Sequence, residues 1–175
     1  MDLAIYAAIA RTPTPALDDA MSRLSRAADY SRLSLASAAL LALCGGRTGR
    51  RATSMGLASL GVTATVVNVL VKPLGRRRRP RHAPDVPLAR HVRMPLSPSF
   101  PSGHSATAFA FATGVGRVMP AAAVPLYALA GLVAYSRVHT GVHYPADVLA
   151  GAMIGAALAQ LTTDARDRRR PARTT

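Results

Sequence analysis

The chain has few of the residues that stabilise many soluble proteins. Its 175 residues include no tryptophan, no glutamate, three phenylalanines and one cysteine. The lone Cys44 cannot form an internal disulfide, and it gives no indication of redox compartment. No cleavable signal peptide is predicted, because the N-terminus lacks a basic start followed by a long apolar core. The eight acidic residues, all aspartates, face 22 basic ones, so the formal net charge is +14.

Small apolar residues make up for these absences. Half of the residues are hydrophobic, and 13 more are glycine. Alanine and glycine allow helices to approach closely in lipid. The positive charge lies between apolar segments rather than on one polar face, which favours basic loops of a membrane protein over a nucleic-acid surface. We therefore predict a bilayer as a partner and no nucleic acid.

Uncharged runs predict the helices. The membrane-spanning candidates are residues 33–46, 52–71, 118–136 and 148–163. A further helix over 102–116 is too short to cross a hydrocarbon core of about 30 Å, but it can lie at the centre of a bundle. Runs of this length also occur in buried soluble cores. Because the chain contains several such runs and few of them have a polar face, we predict an all-α, multi-pass membrane bundle of about five to six helices.

The remaining segments complete a single domain over residues 1–165. Residues 16–31 have apolar residues at helical spacing and predict an amphipathic helix at the membrane interface, with a sixth bundle helix as the alternative. Residues 72–102 form a basic, proline-rich loop. The tail over 166–175 is rich in arginine and is predicted to be disordered.

Three polar stretches meet if the apolar helices alternate across the membrane. Three helix ends then reach the same face of the membrane: the end of one span at Lys72, the start of the next helix at Ser102, and the end of another span near Ser136. All five histidines lie in these loops or at their junctions with helices. Lys72 is the only lysine, and its compact ammonium can approach a phosphate oxygen or simply reach the membrane interface. We expect one site, formed by loops gathered on one membrane face.

The second stretch, PSGH, predicts an anion-binding helix start. Ser102 can cap the helix, and Gly103 allows a ligand to approach the backbone. The first-turn amides and the helix dipole then favour an anion beside His104.

The third stretch contains a histidine and an aspartate four residues apart. An acid among apolar segments needs a partner, and a ring N–H of His143 is the expected partner of Asp147. Such an aspartate would orient the imidazole as a nucleophile or base. A zinc site that also used His139 is less favoured, because Pro145 interrupts the spacing. We predict no metal and no cofactor.

Together the stretches resemble the three-part signature of the type 2 phosphatidic acid phosphatase superfamily, which also includes the vanadium haloperoxidases. That signature reads K-x6-R-P, then P-S-G-H, then S-R-x5-H-x3-D. The matching positions are Lys72, Arg79 and Pro80, then Pro101, Ser102, Gly103 and His104, then Ser136, Arg137, His143 and Asp147. Each part alone is weak, whereas all three in order at helix ends form a specific pattern.

The resemblance implies a metal-free phosphatase that acts on a lipid phosphate. It implies that His143 attacks phosphorus to form a phosphohistidine, that His104 protonates the leaving oxygen, and that Asp147 orients His143. The implied phosphate-binding residues are Lys72, Arg79, Ser102, Gly103 and Arg137. The lipid stays open among polyprenyl diphosphates, phosphatidic acid, phosphatidylglycerol phosphate and prenyl-phosphoribose phosphates.

Two other functions remain as alternatives. One is a non-catalytic membrane protein that binds lipid phosphates, and the less favoured one is a vanadate-dependent haloperoxidase. The arginine counts on the two faces do not decide the orientation. The resemblance implies an extracytoplasmic active site.

Overall fold

The computed structural model describes residues 2–80 and 87–169. Within these ranges the chain is helical and contains no strand. The helices are α1 (Asp2–Arg11), α2 (Pro15–Ala27), α3 (Arg32–Cys44), α4 (Gly46–Leu74), α5 (Gly103–Gly116), α6 (Pro120–His139) and α7 (Pro145–Arg168). The predicted all-α class is confirmed, with seven helices in the described ranges where five to six were expected.

Helix α5 is the centre of the bundle and packs against α4, α6 and α7. Two glycines allow α7 to come very close to it. A Cβ on Gly151 would lie 2.4 Å from the carbonyl oxygen of Ser102, and a Cβ on Gly155 would lie 2.0 Å from that of Ala106. Neither contact leaves room for a side chain, so these two glycines allow the close approach of helices that the small-residue composition favours.

Among the helices of the described ranges, three are long and apolar enough to cross a membrane: α4, α6 and α7. Helix α4 spans 46–74 rather than the predicted 52–71, and α7 spans 145–168 rather than 148–163. The uncharged runs were shorter than the helices because charged residues occupy their terminal turns. The tail was predicted to be disordered from residue 166, but α7 continues to Arg168, so the prediction is wrong for residues 166–168. Residues 170–175 lie outside the described part of the chain.

Two further helix ends matter for the site. Helix α6 continues to His139, past the predicted end near Ser136, so Arg137 is held in its last turn. In α4, residues Val66–Val71 form a π-helical segment immediately before Lys72. Such wide turns change the direction of a helix locally and are frequent at functional sites.

The N-terminal region differs most from the prediction. Helix α1 was not predicted, and α2 ends at Ala27 rather than at residue 31. A 3₁₀ turn, Asp29–Ser31, follows it. Helix α2 packs against α6 and buries a mainly polar face that includes Asp18, Ser22 and Ser25. Its placement at the membrane interface stays a prediction.

Candidate active site

The predicted site residues lie at one end of the bundle. Lys72 is near the C-terminus of α4, and His104 is in the first turn of α5. Arg137 is in the last turn of α6, and Asp147 is in the first turn of α7. Because α4 and α6 end where α5 and α7 begin, the alternating topology gathers the three motifs on one face, as predicted.

His143 lies in the connection between α6 and α7 and is 1% exposed. Its Nε2 is 3.2 Å from Arg79 Nη1. Its Nδ1 is 3.5 Å from the hydroxyl of Ser99 and 3.7 Å from Asp147 Oδ2. An arginine can only donate hydrogen bonds, so this network assigns the proton to Nδ1 and leaves a lone pair on Nε2.

Asp147 Oδ2 lies beside His143 Nδ1, at a separation too long for the direct hydrogen bond expected from the sequence. Its carboxylate accepts hydrogen bonds from Ser99 Oγ at 2.5 Å, Arg77 Nη1 at 2.9 Å and the backbone amide of Tyr144 at 3.0 Å. The last bond belongs to the capping box of α7. The helix start therefore fixes the carboxylate, and Ser99 lies between it and the imidazole.

The buried surroundings keep His143 neutral. Burial, together with the nearby positive charge of Arg79, lowers the pKa of its imidazole to about 4, against the opposing effect of Asp147. A neutral imidazole with an unprotonated ring nitrogen is the form that a nucleophile or base requires.

Two of the predicted cations share one serine. Lys72 Nζ and Arg79 Nη2 are each 3.2 Å from Ser97 Oγ. Arg79 also donates to the carbonyl oxygens of Ser97 at 3.1 Å and Val142 at 2.8 Å. These bonds hold the guanidinium beside His143 and close to the ammonium of Lys72.

Arg137 keeps one buried donor unused. Its side chain is 3% exposed. Nη2 donates to the carbonyl oxygen of Ser25 at 2.5 Å and to Asp29 Oδ1 at 3.0 Å. Its Nε has no hydrogen-bond partner within the described residues. A buried donor without an acceptor is costly, so the site is suited to an anionic ligand at this position.

His104 faces a pocket of about 170 Å³ that Lys72 and Gly103 also line. Its Nε2 is 3.2 Å from Asp29 Oδ1. Ser102 is buried and caps α5 by accepting a hydrogen bond from the Ser105 amide at 3.4 Å, as the sequence predicted for a helix start. Its predicted contact with phosphate stays a prediction, since its hydroxyl is not part of the pocket wall.

Five residues at the site were missed: Asp2, Asp29, Arg77, Ser97 and Ser99. Arg77 joins Asp147 to Asp2, so it links the unpredicted helix α1 to the start of α7. It also stacks on the Tyr144 ring, 4.1 Å from its centroid. Each contact joins parts of the chain that are distant in sequence. The sole available signal was the pair of serines just ahead of the PSGH motif.

The other histidines have different surroundings. His139 is buried, and its Nε2 is 2.9 Å from Asp18 Oδ1, where Arg90 Nε also binds at 2.8 Å. His139 and His143 thus contact different carboxylates, and no set of three possible metal ligands occurs within residues 2–80 and 87–169. His91 lies in the loop before α5, and His82 lies outside the described residues.

This geometry agrees with a comparison to known families. Residues 52–171, more than half of the chain, match the model of the PAP2 superfamily. The chain belongs to the PAP2 superfamily. Membership confirms the resemblance that the three motifs indicated, and it accounts for their convergence at one end of a helical bundle.

Individual members of the PAP2 superfamily are also similar to this chain in sequence. A decaprenylphosphoryl-5-phosphoribose phosphatase of Mycobacterium tuberculosis is 40% identical over 97 residues, which are 53% of this chain and 50% of that protein. The chain thus spans about half the length of the curated relatives that it matches.

Two solved structures share the fold over nearly the whole chain. The Bacillus subtilis transmembrane PAP2-type phosphatidylglycerolphosphate phosphatase has a TM-score of 0.71 at 26% identity, covering 98% of this chain and 87% of its own. Aquifex aeolicus LpxE has a TM-score of 0.72 at 25% identity, covering 93% and 94%. The chain is therefore an α-helical membrane protein of the PAP2 fold.

Proposed function

We propose that this protein is a metal-independent phosphatase that removes phosphate from a membrane lipid through a phosphohistidine intermediate. The observation that carries the proposal is His143, a buried neutral imidazole whose unprotonated Nε2 accepts a hydrogen bond from Arg79. The named activities of its relatives, a decaprenylphosphoryl-5-phosphoribose phosphatase and a phosphatidylglycerolphosphate phosphatase, support a lipid phosphate as substrate.

The phosphoryl group would bind between the cations and the first turn of α5. Lys72, Arg79 and Arg137 supply positive charge, and the Gly103 amide and the helix dipole add to it. The three cations neutralise the oxygens on which charge is spread in phosphoryl transfer. Ser102 is proposed as a further ligand, which requires its hydroxyl to turn from the helix cap toward the phosphate.

The reaction then proceeds in two steps. In the first, the His143 Nε2 lone pair attacks phosphorus, the bond from phosphorus to the lipid oxygen breaks, and that oxygen takes a proton from His104. In the second, water attacks phosphorus while giving a proton to His104. The phosphorus–nitrogen bond breaks, and inorganic phosphate leaves with His143 restored.

The position of Asp147 favours both of these reaction steps. When Nε2 bonds to phosphorus, the His143 ring becomes positive, and the carboxylate 3.7 Å away stabilises that charge. Ser99 and Arg77 hold the carboxylate in place.

Phosphate release from a panel of lipid phosphates tests the function. The full-length protein in detergent is assayed with EDTA present, and His143→Ala is assayed beside it. EDTA-resistant release that the variant lacks is expected, and the preferred lipid would identify the substrate. Binding of lipid phosphates without release would favour the non-catalytic alternative, and activity abolished by EDTA would contradict the metal-independent mechanism.

We also propose a multi-pass arrangement with an extracytoplasmic active site. The test introduces Arg93→Cys, an exposed position in the loop before α5, into a Cys44→Ser background. A membrane-impermeant thiol reagent should label this cysteine in intact cells. Labelling only after lysis would place the site on the cytoplasmic side.

A further inference from the structure

A groove runs between α4 and α7 at the end of the bundle opposite the candidate active site. Its apolar part has a volume of about 520 Å³ and is lined by Ala58, Val62, Leu158 and Leu161, among others. It adjoins a polar part of about 350 Å³ that contains Arg51 and Ser54. Arg166 and Arg169 line both parts, so the two form one continuous depression.

The length of the groove matches one leaflet of a bilayer. Arg51 and Val62 are eleven residues apart on α4, and Leu158 and Arg169 are eleven apart on α7 and its C-cap. At about 1.5 Å per residue, both walls are about 16 Å long. A hydrocarbon core of about 30 Å has leaflets of about half that thickness. With α4 and α7 crossing the bilayer, a groove of this length would extend from the headgroup level to about the middle of the membrane.

The polar end carries unbalanced positive charge. The nearby acids are already paired, since Arg117 contacts Asp164 at 3.4 Å and Asp167 at 3.2 Å. Within the described residues, no carboxylate pairs with the three arginines of the groove: Arg51, Arg166 and Arg169. Arg166 donates to the carbonyl oxygen of Ser54 at 2.9 Å, which fixes one guanidinium across the groove.

We propose that this groove binds one phospholipid with an anionic headgroup from the leaflet opposite the candidate active site. The arginines would contact the headgroup, and an acyl chain would lie along the leucines and small residues of the apolar part. Two arginines near the membrane surface contribute about 1 kcal/mol each to attraction of an anionic lipid. Loss of both should therefore weaken binding roughly thirtyfold.

Native mass spectrometry of the full chain tests this site with phosphatidylglycerol and phosphatidylcholine as probes. The wild type should retain one phosphatidylglycerol in preference to phosphatidylcholine, and Arg51→Gln/Arg169→Gln should lose that preference. The matched control, Arg47→Gln/Arg50→Gln, removes two exposed arginines of α4 that do not line the groove, and it should keep the lipid. Equal retention of both lipids, or equal loss in both double variants, would overturn the proposal. Loss in Lys72→Met instead would place the lipid in the candidate active site.

A separate observation concerns Asp29, and the inference from it rests on the proposed function. The helix dipole at the start of α5 disfavours a protonated His104, yet a general acid must carry a proton. Asp29 Oδ1 lies 3.2 Å from His104 Nε2 and 3.0 Å from Arg137 Nη2. The carboxylate thus supplies, from the N-terminal region, the negative charge that a protonated His104 requires.

The backbone after Asp29 is held in an uncommon conformation. Tyr30 and Ser31 have φ values of 56° and 58°, the left-handed region that residues other than glycine seldom adopt. Two such residues in succession persist only where surrounding contacts hold them. Ser31 Oγ reaches Thr107 Oγ1 at 3.5 Å, and Arg32 lies over the Tyr30 ring. In the ligand-free protein, burial and the nearby Arg137 lower the pKa of His104 to about 3, and Asp29 opposes that lowering. We infer that this turn makes Asp29 a positioning residue that, together with the dianionic phosphate of a bound substrate, favours the protonated form of His104.

Leaving-group dependence tests this role separately from folding. Asp29→Asn should lower kcat/KM for phenyl phosphate by roughly 10²-fold, because phenolate needs a proton as it leaves. For 4-nitrophenyl phosphate, whose leaving group is far less basic, the loss should be small. Asp29→Glu should restore part of the activity, and Asp19→Asn, at an exposed acid that pairs with Arg23, should match the wild type.

The outcomes distinguish this inference from the proposed function. An equal loss with both aryl phosphates would overturn it and limit Asp29 to holding Arg137. Equal activity of Asp29→Asn and wild type would also overturn it. A wild type that releases no phosphate from any substrate would contradict the proposed function itself.

Discussion

Two groups of arginine, histidine and aspartate lie at the same end of the bundle, and they differ in how fully the arginine of each group is hydrogen-bonded. In the structural cluster of Asp18, Arg90 and His139, Arg90 is fully engaged. It donates to Asp18, to the carbonyl oxygens of Ile9, Ala10 and Thr12, and to Thr14 Oγ1. In the candidate active site, by contrast, Arg137 keeps a buried Nε without a partner in the described residues. The contrast lies in the two arginines: Arg90 is held by acceptors on all sides, whereas Arg137 keeps a donor available to a ligand. His139 Nδ1 also lacks a partner in the described residues, so the histidines do not differ in this way.

The two histidines should give the largest contrast. His143→Ala should lower turnover by at least about 10⁴-fold, because it removes the proposed nucleophile. His139→Ala should keep kcat/KM within about tenfold and instead lower the free energy of unfolding by about 1–3 kcal/mol, because it removes a buried hydrogen bond to Asp18. Phosphate release and thermal unfolding of both variants check this. Comparable losses of turnover would mean that the two groups are not separate.

Substitutions of Arg90 and Arg79 test the same difference between the structural cluster and the candidate active site. Arg90→Met leaves Asp18 buried with fewer partners, so the protein should lose about 3–5 kcal/mol of stability. Arg79→Met should lose activity by about 10²–10³-fold, since a cation beside the transferring phosphoryl group is gone. Unfolding midpoints in detergent and kcat/KM per folded protein are the measurements. A stable Arg90→Met protein, or a fully active Arg79→Met protein, would break the comparison.

The Arg137→Lys variant tests whether activity depends on the planar shape of the Arg137 guanidinium as well as on its charge. A lysine keeps the charge, but it cannot contact Asp29 and a phosphate oxygen as a planar fork does. We expect kcat/KM to fall about 10–100-fold with little change in unfolding midpoint. Wild-type activity would remove Arg137 from the site.

The smallest expected effect is the pH dependence of the stability of the folded protein. Folded His143 has a pKa of about 4, lowered by burial from the ordinary 6.5. As pH falls from about 6.5 to about 4, the unfolded chain therefore binds a proton that the folded chain does not, and stability declines across this window. The unfolding midpoint of the wild type should thus drop relative to His143→Gln on acidification. A difference that is independent of pH would contradict the buried, neutral imidazole.

The sequence predicted the fold class and the placement of the motifs, because uncharged runs and fixed motif spacings are local features. It did not predict α1, a short helix that is held by contacts distant in sequence, such as Asp2 with Arg77 and Tyr6 against the ring of Tyr144. The bond between Ser99 and Asp147 was missed for the same reason. A motif specifies which side chains converge, whereas the residues that hold them come from distant segments whose pairing no local pattern records.

Trapping the covalent intermediate is the decisive experiment for the proposal that His143 carries the phosphoryl group. Wild type and His143→Ala are mixed with a ³²P-labelled lipid phosphate, quenched in base to preserve a phosphohistidine, and digested for peptide mapping. We expect an acid-labile label on His143 in the wild type and none in the variant. Label on His104, or label retained by His143→Ala, would contradict it.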